Sequence, residues 1–225
     1  MLVYGAFGWG VGFYVGGGVL YLFYVCCFCK SKTAKYVSTK LTPLGAEEYV
    51  NDLRRVTPSF TFHVRCWHTE TSTSTTTDAD GNTSTSTSTS DVTTYEADEA
   101  FVYRRVRDIS GALAGISPSD VTRLNIKAEY RFSDEPTRLA YVNQGRFLYH
   151  SNKGRDDNCD VTFKMDIAGL TSYVLCTSPD HQACWLQKCY FYLFSCVGLA
   201  ACFATALDAN SLTADYRLVK DISIL

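Results

Sequence analysis

Two long uncharged runs bracket a mixed middle. Met1 to Cys29 holds no Asp, Glu, Lys, Arg or His, and Cys189 to Leu207, CYFYLFSCVGLAACFATAL, is 19 consecutive uncharged residues preceded by Lys188. As a helix the first run is about 43 Å long, more than the hydrocarbon core of about 30 Å. It predicts a transmembrane helix over 1–29. The later run is just long enough for a second crossing over 185–207, with Trp185, Tyr190 and Tyr192 near its entry. Gly8, Gly12 and Gly16 repeat every four residues on one face, and Gly198, Ala200, Ala201 and Ala204 give the second run a small-residue face. Both are candidate membrane-helix packing surfaces, although glycine is common in such helices generally. A buried or re-entrant helix is the alternative for the second run.

Between the runs the pattern changes to short alternating segments. A short helix is expected around Ala46 to Arg55, broken from the first run by Pro43 and Gly45. In Phe60 to His68, FTFHVRCWH, the residues Phe60, Phe62, Val64 and Cys66 fall on one face and His63, Arg65 and Trp67 on the other, which predicts a strand. From Thr71 to Thr94, 17 of 24 residues are Ser or Thr. That stretch has little apolar area to offset ordering, so it is read as a disordered insertion at 71–94 or a long hairpin tip. Further strands are expected within Val92 to Val106, especially Ala100 to Arg104, and at Arg123 to Phe132, Asp160 to Ile167 and Ser172 to Cys176. Glu135 to Asn152 has helical character with Pro136 near its start. The fold class expected is therefore a multipass α-helical membrane protein with a central mixed α/β soluble domain over 30–182.

Charge adds an orientation. Lys30, Lys32, Lys35 and Lys40 follow the first run and Lys188 precedes the second, a bias that places the central domain in the cytosol and leaves 208–225 as a short non-cytosolic tail. The whole chain of 225 residues has 21 Lys plus Arg against 23 Asp plus Glu, which argues against nucleic acid as a partner. Met1 stands almost inside the first run with no basic segment before it, so an uncleaved anchor is expected. Six of the ten cysteines belong to or border the apolar runs, a placement unlike a disulfide scaffold. Cys26, Cys27 and Cys29, beside the basic boundary, are candidate acylation sites, with buried packing as the alternative.

Candidate chemistry is sparse. His63, Cys66 and His68 suggest metal ligands, but a strand puts His63 opposite the other two, and nothing in the spacing of His150, His181, Cys159 and Cys176 forces convergence. Asp156, Asp157 and Asp160 lack the ordered oxygen pattern of a calcium loop. No Ser-His-Asp or Cys-His arrangement is assignable by spacing, so no catalytic residue, metal or cofactor is expected. Arg104, Arg105 and Arg107 are a candidate contact for anionic lipid headgroups, offset by Glu99 and Asp108 nearby.

At PSFTFHVRCWHTE (Pro58 to Glu70), DVTTYEADEAFVYRRVRDIS (Asp91 to Ser110), KAEYRFSDEPTRLAYVNQGRF (Lys127 to Phe147) and, more loosely, TADYRLVKDI (Thr213 to Ile222), the chain resembles the transmembrane protein 151 family. The resemblance implies a multipass membrane protein and offers no catalytic residues to carry over. These readings together lead to the expectation of a non-enzymatic protein, located in a membrane, that displays a cytosolic protein-interaction or scaffold domain. Its expected partners are the lipid bilayer, a homo- or hetero-oligomeric membrane partner and a cytosolic protein. The alternative is a transport or channel-associated membrane subunit.

Overall fold

The computed structural model describes residues 17–77, 81–117, 120–178 and 184–225. It is a mixed α/β structure in two units. Unit 1 comprises Met1–Arg55, Ser110–Lys127 and Gly169–Leu218, and unit 2 comprises Val56–Ile109, Ala128–Ala168 and Val219–Leu225.

In unit 1, the described part of helix α1 covers 17–29. Helix α2 (Lys32–Ser38) starts at Ser31, whose hydroxyl accepts the Ala34 amide. After it come β1 (Lys40–Leu41) and α3 (Pro43–Arg55). The sheet of this unit runs β1, β7 (Tyr173–Cys176), the first half of β5 (Thr122–Phe132), then the start of β8 (Leu212–Ser223). β1 pairs in parallel with β7, and β5 pairs antiparallel with β7.

The apolar run before β8 is not one helix. It forms α5 (Lys188–Cys196) and α6 (Ala200–Ala209), separated by Gly198 at φ +82°, a left-handed conformation that glycine adopts without steric cost. At about 1.5 Å per residue the two helices are roughly 14 and 15 Å long, half of what a crossing needs. Phe191 and Phe203 turn inward against Ala34 and Val37 of α2. Packing against α2 takes up these two rings, while Leu193, Val197 and Leu199 of the same run stay exposed.

This corrects the fold class. Among the described residues no helix is long and apolar enough to cross a membrane. The described part of α1 covers about 20 Å by the same rise, and the remainder of the expected first crossing, with Gly8, Gly12 and Gly16, lies outside the described residues. The multipass architecture required both crossings. The membrane location, the lipid bilayer and oligomeric membrane partners, the membrane-displayed scaffold and the channel-associated alternative all rested on those crossings, and no helix among the described residues supplies one.

Unit 2 is built on a three-stranded antiparallel sheet in the order β3 (Thr83–Ala100), β2 (Ser59–Thr77), β6 (Asn158–Asp166). The alternation of β2 is as read: Phe60, Phe62, Val64 and Cys66 are buried, each at 2% exposure or less. Opposite them on β6 stand Met165, Phe163, Val161 and Cys159. Helix α4 (Glu135–Asn152), with Asp134 capping the Thr137 amide at 2.7 Å, covers this face. Strand β4 (Arg105–Asp108) pairs with the end of β8, where buried Lys220 lies 3.3 Å from Asp108.

Beyond the third strand, β2 and β3 continue through the Ser/Thr-rich run as a ribbon. Thr71 faces Thr89, Thr73 faces Thr87 and Ser74 faces Ser86, the last pair with hydroxyl oxygens 2.7 Å apart. β-Branched threonine favours the extended backbone, and cross-strand hydroxyl pairs supply what apolar area does not. The structure thus carries the run as the hairpin form of the two readings.

Phe62 is the central test of this core. Phe62→Ala should cost about 3 to 5 kcal/mol, the usual range for a buried phenylalanine. Phe147→Ala, at a position 69% exposed on α4, should stay within about 0.5 kcal/mol of the parent. Urea unfolding of the full chain followed by far-UV dichroism measures both.

Candidate functional site

The unit 2 sheet has one edge strand lying beside a helix. β6 pairs with β2 on one side and, among the described strands, with none on the other. α4 packs over the same strands, and between helix and edge lies a cleft of about 380 Å³ lined by Phe62, Tyr141, Val142, Gly145, Tyr149 and Val161, with Arg146 and Asp160 also at its wall.

Three local features set this cleft. Gly145 brings the helix close, because a Cβ added there would stand 3.3 Å from the Phe62 ring. Tyr141 stacks on Phe62 at 5.4 Å between centroids and meets Phe163 edge-on at 4.8 Å. The third feature is the corner joining α4 to β6. There Asn152 is buried, its amide donates to Leu148 O at 2.7 Å, its Oδ1 accepts from Arg155 Nε at 2.7 Å, and its carbonyl takes the Cys66 thiol at 3.6 Å. The Arg155 guanidinium sits 4.0 Å from the Tyr95 ring centroid, a close cation–π contact.

A bulge ties this corner to the hairpin. Cys66 faces Tyr95 but Trp67 faces Thr93, leaving Thr94 as the extra residue. Its hydroxyl donates to Asp156 Oδ2 at 2.6 Å. Asp156 also accepts the Asp157 amide at 2.8 Å and lies 3.0 Å from His68 Nδ1, while His68 Nε2 is 3.4 Å from Glu70. The hydrogen bonds from Thr94 and His68 hold the Asp156 carboxyl below the ordinary aspartate value. The bonds to Asp156 and Glu70 raise His68 above 6.5.

The sequence-derived candidates scatter. His63 is on the opposite face of β2 from Cys66, between Glu96 at 3.0 Å and Asp98 at 2.7 Å. Cys66 faces Cys159, whose thiol burial pushes up to about 11, and burial does the same to Cys176. Asp156 enters the corner network, while Asp160 lines the cleft. His181 lies outside the described residues. Among the described residues no three His, Cys, Asp or Glu side chains are grouped to hold a metal.

Arg104, Arg105 and Arg107 are exposed, Arg105 and Arg107 on β4 opposite Ser223 and Asp221. Lys30 follows α1, Lys32 and Lys35 belong to α2, and Lys188 opens α5. Lys40 is on β1, where burial lowers its amine below the ordinary lysine value. Cys26, Cys27 and Cys29 are exposed on α1. Gly198 serves a turn, Ala200 is fully buried, and Ala204 is half-buried.

Sequence reasoning missed the cleft. Its one local signal was a glycine inside an otherwise regular helical pattern, which calls for a packing reason. Nothing in the spacing of His68 and Asp156, 88 residues apart, signals their meeting.

The His68 pair predicts a pH dependence. A histidine raised by folding stabilises fully below its unfolded value of about 6.5 and loses that contribution as pH rises through its folded value. Asp156, depressed by folding, contributes above its ordinary value and loses that contribution only in acid. Stability should therefore decline as pH rises above about 6.5, and His68→Gln should remove that decline. Chemical denaturation across pH 5 to 9, with NMR titration of the His68 ring, checks both.

No curated protein and no solved structure matches this chain. The family resemblance read from the four blocks does hold. The match to the family model runs from residue 13 to residue 222, nearly the full length, and the chain belongs to the TMEM151 family.

Proposed function

We propose that this chain is a non-catalytic polypeptide-binding protein. The cleft between α4 and β6 takes an extended segment that adds as a strand to the free edge of β6 and places one bulky apolar side chain against Val142, Tyr149 and Val161. The observation that carries this reading is the edge itself, a strand side with no partner among the described strands running beside an apolar cleft. Strand addition draws affinity from backbone hydrogen bonds and specificity from a pocket for alternate side chains.

Binding without chemistry fits the groups on the cleft wall. Cys159 also lines the cleft, and its thiol, held up near 11 by burial, stays protonated at neutral pH and is a poor nucleophile. The paired His68 and Asp156 are not among the residues that line the cleft. Arg146 and Asp160 give the wall both signs of charge, which suits an uncharged anchor residue. This reading rests on the geometry of unit 2 and needs no membrane.

Selection of displayed random peptides on the full chain tests it, followed by fluorescence anisotropy with a synthetic selected peptide. Selected sequences should alternate apolar positions around one bulky side chain. Val142→Glu should weaken binding by about tenfold or more while leaving the melting temperature within about 4 °C. Phe147→Glu, outside the cleft lining, should bind as the parent does. Amide exchange over Asn158–Asp166 should slow when peptide is bound. Binding that ignores Val142→Glu, or leaves β6 exchange unchanged, overturns the reading, and so does a preference for small apolar molecules over peptides.

A further inference from the structure

A second cavity, in unit 1, has a different chemistry. It measures about 360 Å³ and is walled by α2 (Lys32, Thr33, Tyr36), β5 (Arg123, Asn125), the end of α6 (Leu207, Asp208) and Thr213 of β8. β5 alternates here, with Thr122, Leu124 and Ile126 buried and Arg123 and Asn125 on the other face. That alternation aims both polar side chains at one space.

The groups facing the cavity are mostly donors, and their partners are unevenly satisfied. Arg123 pairs through Nη1 with Asp208, and its Nη2 donates to Thr213 Oγ1 at 3.1 Å. Its Nε is buried with no acceptor among the described residues. Shielded from solvent, this Nε is out of a ligand's reach, so the guanidinium can offer an oxyanion only the second hydrogens of its two Nη atoms. Tyr36 donates to Asn125 Oδ1, and Asn125 Nδ2 donates to Asp215 Oδ1 at 2.8 Å, so this amide is fixed in orientation. Lys32 has no ion pair among the described residues, and its Nζ lies 6.0 Å from the Tyr173 ring centroid.

The charge arithmetic follows. Of the lining residues Lys32 and Arg123 are cationic and Asp208 is anionic, and Asp208 is committed to Arg123. One positive charge is left over among the lining residues, with the Asp215 carboxylate set behind Asn125, and it stands beside a guanidinium that is already held in place. Leu207 and the Tyr36 ring supply an apolar wall. We propose that this cavity binds a small organic oxyanion, a carboxylate or phosphate monoester, with its charged oxygens between Lys32 and Arg123 and its body against Leu207 and Tyr36. A preorganised arginine presents its donors to an oxyanion with little further ordering. The site is independent of the cleft in unit 2.

Isothermal titration of the full chain with phenyl phosphate, benzoate and neutral benzyl alcohol tests this. At least one of the two anions should bind and benzyl alcohol should not. Phenyl phosphate alone would identify a phosphate monoester, and benzoate alone a carboxylate. Lys32→Ala, at an exposed position, should weaken binding about tenfold. Asp208→Asn, which removes a negative charge beside the site while leaving a side-chain oxygen to accept from Arg123, should strengthen it. Opposite responses from two surface variants separate ligand contact from loss of fold, and far-UV dichroism checks that both remain folded. Neither anion binding, benzyl alcohol binding equally, unchanged affinity in Lys32→Ala, or no gain in Asp208→Asn overturns the proposal.

Discussion

The contact on which unit 2 depends is the packing of Tyr141 and Phe163 around Phe62. Phe62 belongs to the central strand, Phe163 to the edge strand and Tyr141 to the covering helix, so one aromatic cluster joins all three elements. Aromatic pairs at such distances add about 0.5 to 1.5 kcal/mol each beyond the area they bury. They also fix spacing. A helix resting on rings with a glycine at the closest point cannot drift outward without losing several contacts together. The apolar cleft is the space left where this packing ends at the sheet edge.

The polar corner between α4 and β6 complements that packing. Asn152, Arg155 and Asp156 occupy the five-residue stretch where the chain leaves the helix and enters the strand, and each is bonded back to a different neighbour. Burying a polar group such as Asn152 is costly unless it finds partners, and here Leu148, Arg155 and the Cys66 thiol of β2 supply them, while His68 of β2 and Thr94 of the β3 bulge hold the half-buried Asp156. The corner therefore specifies where β6 begins. Its register against β2, with Cys159 opposite Cys66, follows from that start.

Much of this arrangement was legible in the residues. The alternation at Phe60 to Cys66 and the span of Glu135 to Asn152, with Pro136 near its start, carry local signals that the structure keeps. The apolar run near the C-terminus was misread because hydropathy counts apolar residues without telling lipid from protein. Phe191 and Phe203 find their neighbours in α2, far away in sequence, and only Gly198 hinted at the turn. The alternation of Ala214, Tyr216 and Leu218 was also available, yet the region was assigned to a tail, whereas it forms β8 with all three buried. The order of strands, and hence the free edge of β6, rests on long-range pairing that no local pattern encodes. The same holds for the unit 1 cavity, where Lys32, Arg123 and Asp208 come from three separate stretches of chain.

The hydroxyl-rich ribbon differs from the rest of its sheet in one respect. Its pairs match like with like, threonine facing threonine and serine facing serine over Thr71–Thr75 and Thr85–Thr89. Sliding one strand by two positions would restore nearly the same pairs, and no buried face penalises the move. Alignment in the ribbon is thus nearly degenerate, whereas in Phe60 to Cys66 it is unique. Gain or loss of a Thr-Ser dipeptide would lengthen or shorten the ribbon and leave the aromatic cluster untouched, so this stretch of chain is free to vary in length while the body of the sheet is not.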